Sequence, residues 1–339
     1  MSKTILFVIL MVILISILAY NLFKIYSIIN INKMLEKYEI KCKSISVSDH
    51  SLGLLLDAKI ICNKFPKLDE VLGTRNLIIE NSFHSKPEDL IFVNIDWTDF
   101  SGLDSENSPK TLLCKTKQAY DILKNKFKNK NVIYTGFTSM DRFKTGYNID
   151  YNKLIHICGK SPYKGTLKLV KTWLNHPEFP LLTIKVYDGV YEEIKKMMVN
   201  KTANNIEINT KFITDDEVDN LYNTYGVHLC PSIQEGWGHY IAEAKACKAV
   251  VLYTDAPCMN ETFVDGYDGI AVRCNINTVN KINQICPFYE IEEEDMVNAV
   301  RRILNLSQDQ KREIGENARK SFLENDIQFT KRFNEIIQN

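Results

Sequence analysis

The stretch CPSIQEGWGHYIAEAKACKAVVLYTDAPCMNE, Cys230 to Glu261, decides the fold of this chain. The apolar run that ends at Cys230 reads as a strand, and the Gly236-Trp237-Gly238 turn breaks it. A small-residue run from His239 then reads as a helix, and AVVLYTD returns to strand. Strand, turn, helix and strand make one unit of an α/β fold with a parallel sheet. Glycines at such a turn let backbone N–H groups come close to an anion, and the start of the next helix favours negative charge. A phosphate-holding turn is therefore expected at Gly236, Trp237 and Gly238, with His239 beside it. The carboxylates Glu235 and Glu243 are poor partners for phosphate but good acceptors for sugar hydroxyls. A plain structural turn with a solvated Glu243 fits the same residues, because short glycine patterns recur by chance.

A second window, ICGKSPYKGT from Ile157 to Thr166, again follows a strand and precedes a helical stretch. It carries Gly159, Lys160, Ser161 and Lys164, so two cations stand four residues apart around a Gly-Lys-Ser-Pro turn. Two ammonium groups and a hydroxyl suit a diphosphate. The order differs from a P-loop, G-x-x-x-x-G-K-[ST]. Two solvated lysines on a loop are the other reading.

Outward from these windows, LIHIC, LLTIKVYD, NIEIN, GVHLCPS and AVVLYTD are strand candidates separated by helix-length stretches. Upstream, the short apolar runs LGLLLDAKIIC, NLIIEN, DLIFVNID, TLLCKT and NVIYTGF alternate with helical patterns such as KQAYDILKNKF. Two α/β units in series follow. The expected organisation is a membrane anchor and stalk over 1–37, an N-terminal Rossmann-like domain over 38–148, a C-terminal Rossmann-like domain over 149–310 and an amphipathic helix over 311–339. Asp255, Met259, Asn260 and Glu261 follow a strand and are placed to line a cleft, while His156 lies within a strand and reads as core. His50 and His84 are the histidines of the N-terminal unit.

Thr4 to Phe23, TILFVILMVILISILAYNLF, carries no charge and is long enough to cross a bilayer as a helix. Lys24, Lys33, Lys37, Lys41 and Lys43 follow it, against Lys3 before it, which favours a cytosolic body by the positive-inside rule. The 42 basic residues balance 42 acidic ones, so the charge excess that nucleic-acid binding needs is missing. The nine cysteines are scattered without a C-x-x-C pair and read as reduced thiols. No D-x-D triplet occurs.

Taken together, the two windows resemble glycosyltransferases of the GT-B fold, in particular the retaining group with an E-x7-E motif. Glu235 and Glu243 have that spacing, within the order Pro-Ser, EGWGHYIAE, EAKAC, AVVLYTDAP and DGYDGIAV. GKSPYKG resembles the basic loop that opens the family's second Rossmann domain, and TDDEVDNLYNTYGVHLCPS its approach to the motif. LCKTKQAYDIL and YTGFTSMDRF resemble the end of the N-terminal domain. Position 248 is Lys where the family commonly has Gly.

The resemblance implies two Rossmann-like domains facing a cleft, a nucleotide-sugar donor as substrate, no metal or other cofactor, and a glycan, lipid-linked or protein acceptor. Lys160 and Lys164 would neutralise the leaving diphosphate. Glu235 would hold the transferred sugar, Glu243 the ribose, and Gly236, Trp237 and Gly238 would present N–H groups. Gly159, Ser161 and His239 complete the expected donor site. A binding relative without turnover and a nucleotide-sugar epimerase are the alternatives.

Overall fold

A computed structural model describes residues 11, 16, 33–47, 51–80, 85–95, 100–199, 203–277 and 286–338. Wholly buried Leu-Ile-Ile and Leu-Ile-Phe triplets form β2 (Leu77–Ile79) and β3 (Leu90–Phe92), the pattern of a sheet covered on both faces. They sit within a parallel five-stranded sheet with β1 (Ile45–Val47), β4 (Thr111–Cys114) and β5 (Asn131–Tyr134), in the order β1-β2-β3-β4-β5. LGLLLDAKIIC, first among the apolar runs, is not a strand. Ser51 caps it, and it forms helix α1 (Leu52–Lys64), packed beside β1. Helices α2 (Leu68–Leu72) and α3 (Lys117–Lys126) complete this half.

The second half carries a six-stranded parallel sheet of β6 (Asp150–Gly159), β7 (Leu182–Val186), β8 (Ile206–Asn209), β9 (Tyr225–Cys230), β10 (Val250–Thr254) and β11 (Ile270–Val272). All five strands expected there are present. Their order is β11-β10-β9-β6-β7-β8. The chain therefore winds outward from β6 through β8, returns to the middle, and winds the other way from β9 through β11. Loops leaving β6 and β9 diverge at this switch point, and a crevice opens between them at the carboxyl ends of the strands. Helices α4 (Thr166–Asn175), α5 (Asp188–Met198), α6 (Asp215–Thr224) and α7 (His239–Ala246) connect the strands. An antiparallel pair, β12 (Asn275–Asn277) and β13 (Phe288–Glu290), precedes α8 (Glu293–Leu304).

The last helix, α9 (Gln308–Ile337), starts at a Ser307–Gln310 capping box in the second half. Gly315 is needed there because a Cβ would lie 2.1 Å from the Lys248 carbonyl oxygen. Over 30 residues it runs roughly 45 Å and crosses to the first half. There Phe329, Phe333 and Ile337 join the core formed by α1 and β1 to β3. Phe333 lies 4.7 Å from Phe65 and 5.7 Å from Phe92 between ring centroids.

The reading of every cysteine as a reduced thiol is corrected by a Cys42–Cys62 disulfide. The chain runs back along itself through β1 and α1, which brings these two Cα atoms to 5.7 Å. The remaining seven cysteines are free. The apolar run Thr4 to Phe23, apart from Met11 and Ser16, and both His50 and His84 lie outside the described residues. Among the described residues no helix is long and apolar enough to cross a membrane.

Candidate active site

The crevice at the β6/β9 switch point is built by two loops. After β6, the Ser161 hydroxyl accepts a hydrogen bond from the Tyr163 N–H at 3.3 Å and caps the short turn Pro162–Lys164. Ser161 thereby shapes the loop and keeps its O–H as a donor. Gly165 closes the turn at φ +70°, and a Cβ there would lie 2.1 Å from the Pro231 carbonyl oxygen. Only glycine lets the two loops approach so closely, which the sequence reading missed. Gly159 also has positive φ, at +61°, and ends β6. Lys160 is exposed at the rim.

Lys164 and Glu235 meet across the crevice, joined by an ion pair and hydrogen bond from Lys164 Nζ to Glu235 Oε1. The Ser232 hydroxyl donates to the same carboxylate oxygen at 2.5 Å. Burial holds the Tyr240 phenol well above its usual pKa, so it stays a donor, and its oxygen lies 2.6 Å from the Ser232 hydroxyl. The Lys164 ammonium stands 4.2 Å over the Tyr240 ring, a cation–π contact. Ser232 and Tyr240 were absent from the sequence reading. Only their place beside Glu235 marks them.

Gly238, at φ +88°, opens α7. N–H groups at the first turn of a helix lack intrahelical partners. Those of residues 236–240 donate to no acceptor among the described residues. Trp237 turns its side chain toward the first half, where its Nε1–H donates to Ser139 Oγ at 3.0 Å. His239 does the same, with Nδ1 2.9 Å from Ser139 Oγ and Nε2 2.9 Å from Asp57 Oδ1.

Glu243 does not join the Lys164 cluster. It is buried, with Oε1 3.2 Å from Arg142 Nε, and Arg142 also pairs with Asp219 at 2.8 Å. The alternative of a solvated Glu243 is corrected, because this face of α7 is buried against Arg142. Lys248 adopts φ +61°, so the turn after α7 keeps the backbone shape usual for glycine. His156 is fully buried between the Leu229 carbonyl and Thr166, as a core histidine, and burial pushes its pKa down to about 4.

The halves meet around this crevice. Glu261 receives the N–H groups of Lys117 and Gln118 at 2.6 and 2.9 Å, at the start of α3. Burial raises its pKa. At the carboxyl ends of β7 and β8, Tyr187 and Phe212 lie 6.5 Å apart between ring centroids, with Phe212 87% exposed. Cations, a hydroxyl-binding carboxylate, free N–H groups and exposed rings together suit a phosphorylated nucleoside bearing a polyhydroxylated group.

The family model of glycosyl transferases group 1 matches residues 138–321, just over half of the chain. An uncharacterised glycosyltransferase of Methanocaldococcus jannaschii is 26% identical over 226 residues, which are 66% of this chain and 58% of that protein. The chain thus spans less than two thirds of that relative's length. A glycosyltransferase from Rickettsia africae superposes with a TM-score of 0.58 at 16% identity, covering 90% of this chain and 86% of that one. Alr3699/HepE from Anabaena, solved with UDP and glucose, gives 0.57 at 13% identity over 81% and 82%. These likenesses show the fold, GT-B, with two parallel α/β halves about a cleft.

Proposed function

Because the chain belongs to the glycosyl transferases of group 1, we propose that it moves a sugar, with retention, from a nucleotide diphosphate donor to a hydroxyl of a glycan, lipid-linked or protein acceptor. The observation that carries this reading is the Lys164–Glu235 pair at the β6/β9 switch point, held by Ser232 and Tyr240. Without a donor the two charges satisfy one another. With a donor, Lys164 and the exposed Lys160 take up the diphosphate, so no metal is required for the leaving group. Glu235 turns to the sugar hydroxyls, and the N–H groups of Gly236, Trp237 and Gly238 face the phosphate or sugar. Leaving-group charge develops in the transition state, where fixed cations stabilise it most. Tyr187 and Phe212 offer faces for the base.

In this reading Glu243 holds the ribose only after Arg142 releases it. Thr4–Phe23 anchors the body at the cytosolic face of a membrane, which favours an acceptor found there.

The test is nucleotide diphosphate release by the full-length protein from a panel of UDP-, GDP- and ADP-sugars with membrane extract as acceptor. Release from one donor is expected, and Lys164→Ala should lower it at least about 100-fold while the protein stays folded. Wild-type turnover in folded Lys164→Ala would sink the assignment. Conversion of the donor sugar without an acceptor would identify an epimerase instead.

A further inference from the structure

Trp237 and His239, on either side of Gly238, both reach out of their own half. Their partners, Asp57 on α1 and Ser139 after β5, belong to the first half, as does Lys115 after β4, which pairs with Asp57. Asp57 and Lys115 are both buried and form an ion pair, and Lys115 stands 4.7 Å over the Phe137 ring. Phe137 in turn packs edge-on against Trp237 and His239.

The proton positions in this chain follow from its ends. The Trp237 indole can only donate, so Ser139 Oγ accepts from it and keeps its own O–H to donate to His239 Nδ1 when that nitrogen is unprotonated. At the other end, burial raises the Asp57 carboxyl, but Lys115 and His239 outweigh it and hold the group below its usual range, ionised. His239 Nε2 must therefore carry the proton it shares with Asp57. With Nε2–H donating to Asp57, a neutral His239 would accept at Nδ1 from Ser139 Oγ, and every donor in the chain would then meet an acceptor.

We infer that Asp57, Lys115 and Ser139 are positioning residues of the donor site. Ser139 and Asp57 grip the side chains on both sides of Gly238, and Lys115 holds Asp57 in place. This fixes the turn whose N–H groups face the donor, so the site in the second half is complete only when the first half is closed upon it. This rests on the glycosyltransferase reading above, and two measurements separate the two. In full-length protein labelled with 15N at histidine, the His239 ring is expected as the fixed Nε2–H tautomer. Asp57→Asn should release it into tautomer exchange while the other histidine signals hold. Exchange already present in the wild type would overturn the network whatever the activity.

With the donor that the wild type turns over, Ser139→Ala is expected to lower kcat about 10-fold, because a loosened turn misplaces the reacting group. Its affinity for the matching nucleoside monophosphate should stay within about twofold, since the base lies on other loops. Unchanged kcat in Ser139→Ala would overturn the positioning role and leave the transferase standing. A parallel loss of kcat and nucleoside affinity would mark a merely structural role. Absence of turnover by the wild type would count against the transferase reading, and the tautomer measurement would still decide the network.

Discussion

Glu235 and Glu243 stand on the same short stretch of chain, yet their surroundings are opposite in kind. Glu235 faces the crevice, and its cation, Lys164, comes from the neighbouring loop after β6. Glu243 faces inward, and its cation, Arg142, comes from the segment between the halves and is fixed at the same time by Asp219. Arg142 also lies 5.8 Å from the Tyr222 ring, and Asn223 donates to its carbonyl. Two carboxylates with one motif spacing therefore divide their work. One charge pair joins two loops of the crevice, and the other ties the linker to α6 and α7.

That contrast is broken most directly by Arg142→Leu, which strands a buried carboxylate. A loss of about 3–5 kcal/mol in urea unfolding is expected, with most of it regained when Glu243→Leu is added. Glu235→Gln, by contrast, should leave the unfolding curve within about 0.5 kcal/mol of wild type while transfer falls. Equal stability losses for the two would erase the distinction.

Acid sharpens the same comparison, because each region rests on a buried neutral histidine. His156 lies behind the Lys164 loop, and His228 stacks on Tyr222 with its rings nearly parallel. Burial pushes their pKa values down to about 4 and about 3. The unfolded chain takes up a proton at each near pH 6.5, whereas the fold refuses it until much lower pH. Stability is expected to be insensitive to these groups above that value and to fall by about 3 kcal/mol for each as pH drops toward 4. His156→Gln should remove roughly half of this slope in unfolding curves collected between the two pH limits. A full slope in that variant would exclude His156 as its source.

The smallest effect belongs to the turn that ends the motif helix. Lys248 holds a left-handed backbone at φ +61°, and Lys248→Gly should remove that strain. Because the Lys248–Glu316 pair at 2.8 Å is lost as well, the net gain in urea unfolding is expected to be below about 1 kcal/mol. A net loss would assign the turn's stability to that surface pair.

The second half was legible because its strands are continuous apolar runs between turn residues, and because Lys164 and Glu235 each follow such a run. LGLLLDAKIIC misled because it is apolar on nearly every side, so it lacks the helical stripe that identifies α1. The role of Asp57 was hidden inside that run. Ser139, Lys115 and Arg142 were hidden for a different reason: their meaning arises from contacts between segments 58–182 residues apart, such as Lys115 with Asp57, Arg142 with Asp219 and His239 with Asp57. No local spacing encodes such a meeting. Gly165 was quoted but passed over, since its value lies in the nearness of Pro231 rather than in its own loop.

Helix α9 gives the molecule an order of assembly. The half that is translated first cannot finish its interior until Phe329 and Phe333, translated long after it, have emerged and folded back. During synthesis that half waits with an open apolar face beside Phe65 and Phe92, while the second half can close around its own sheet. The protein is thus completed in reverse, with its latest residues sealing its earliest.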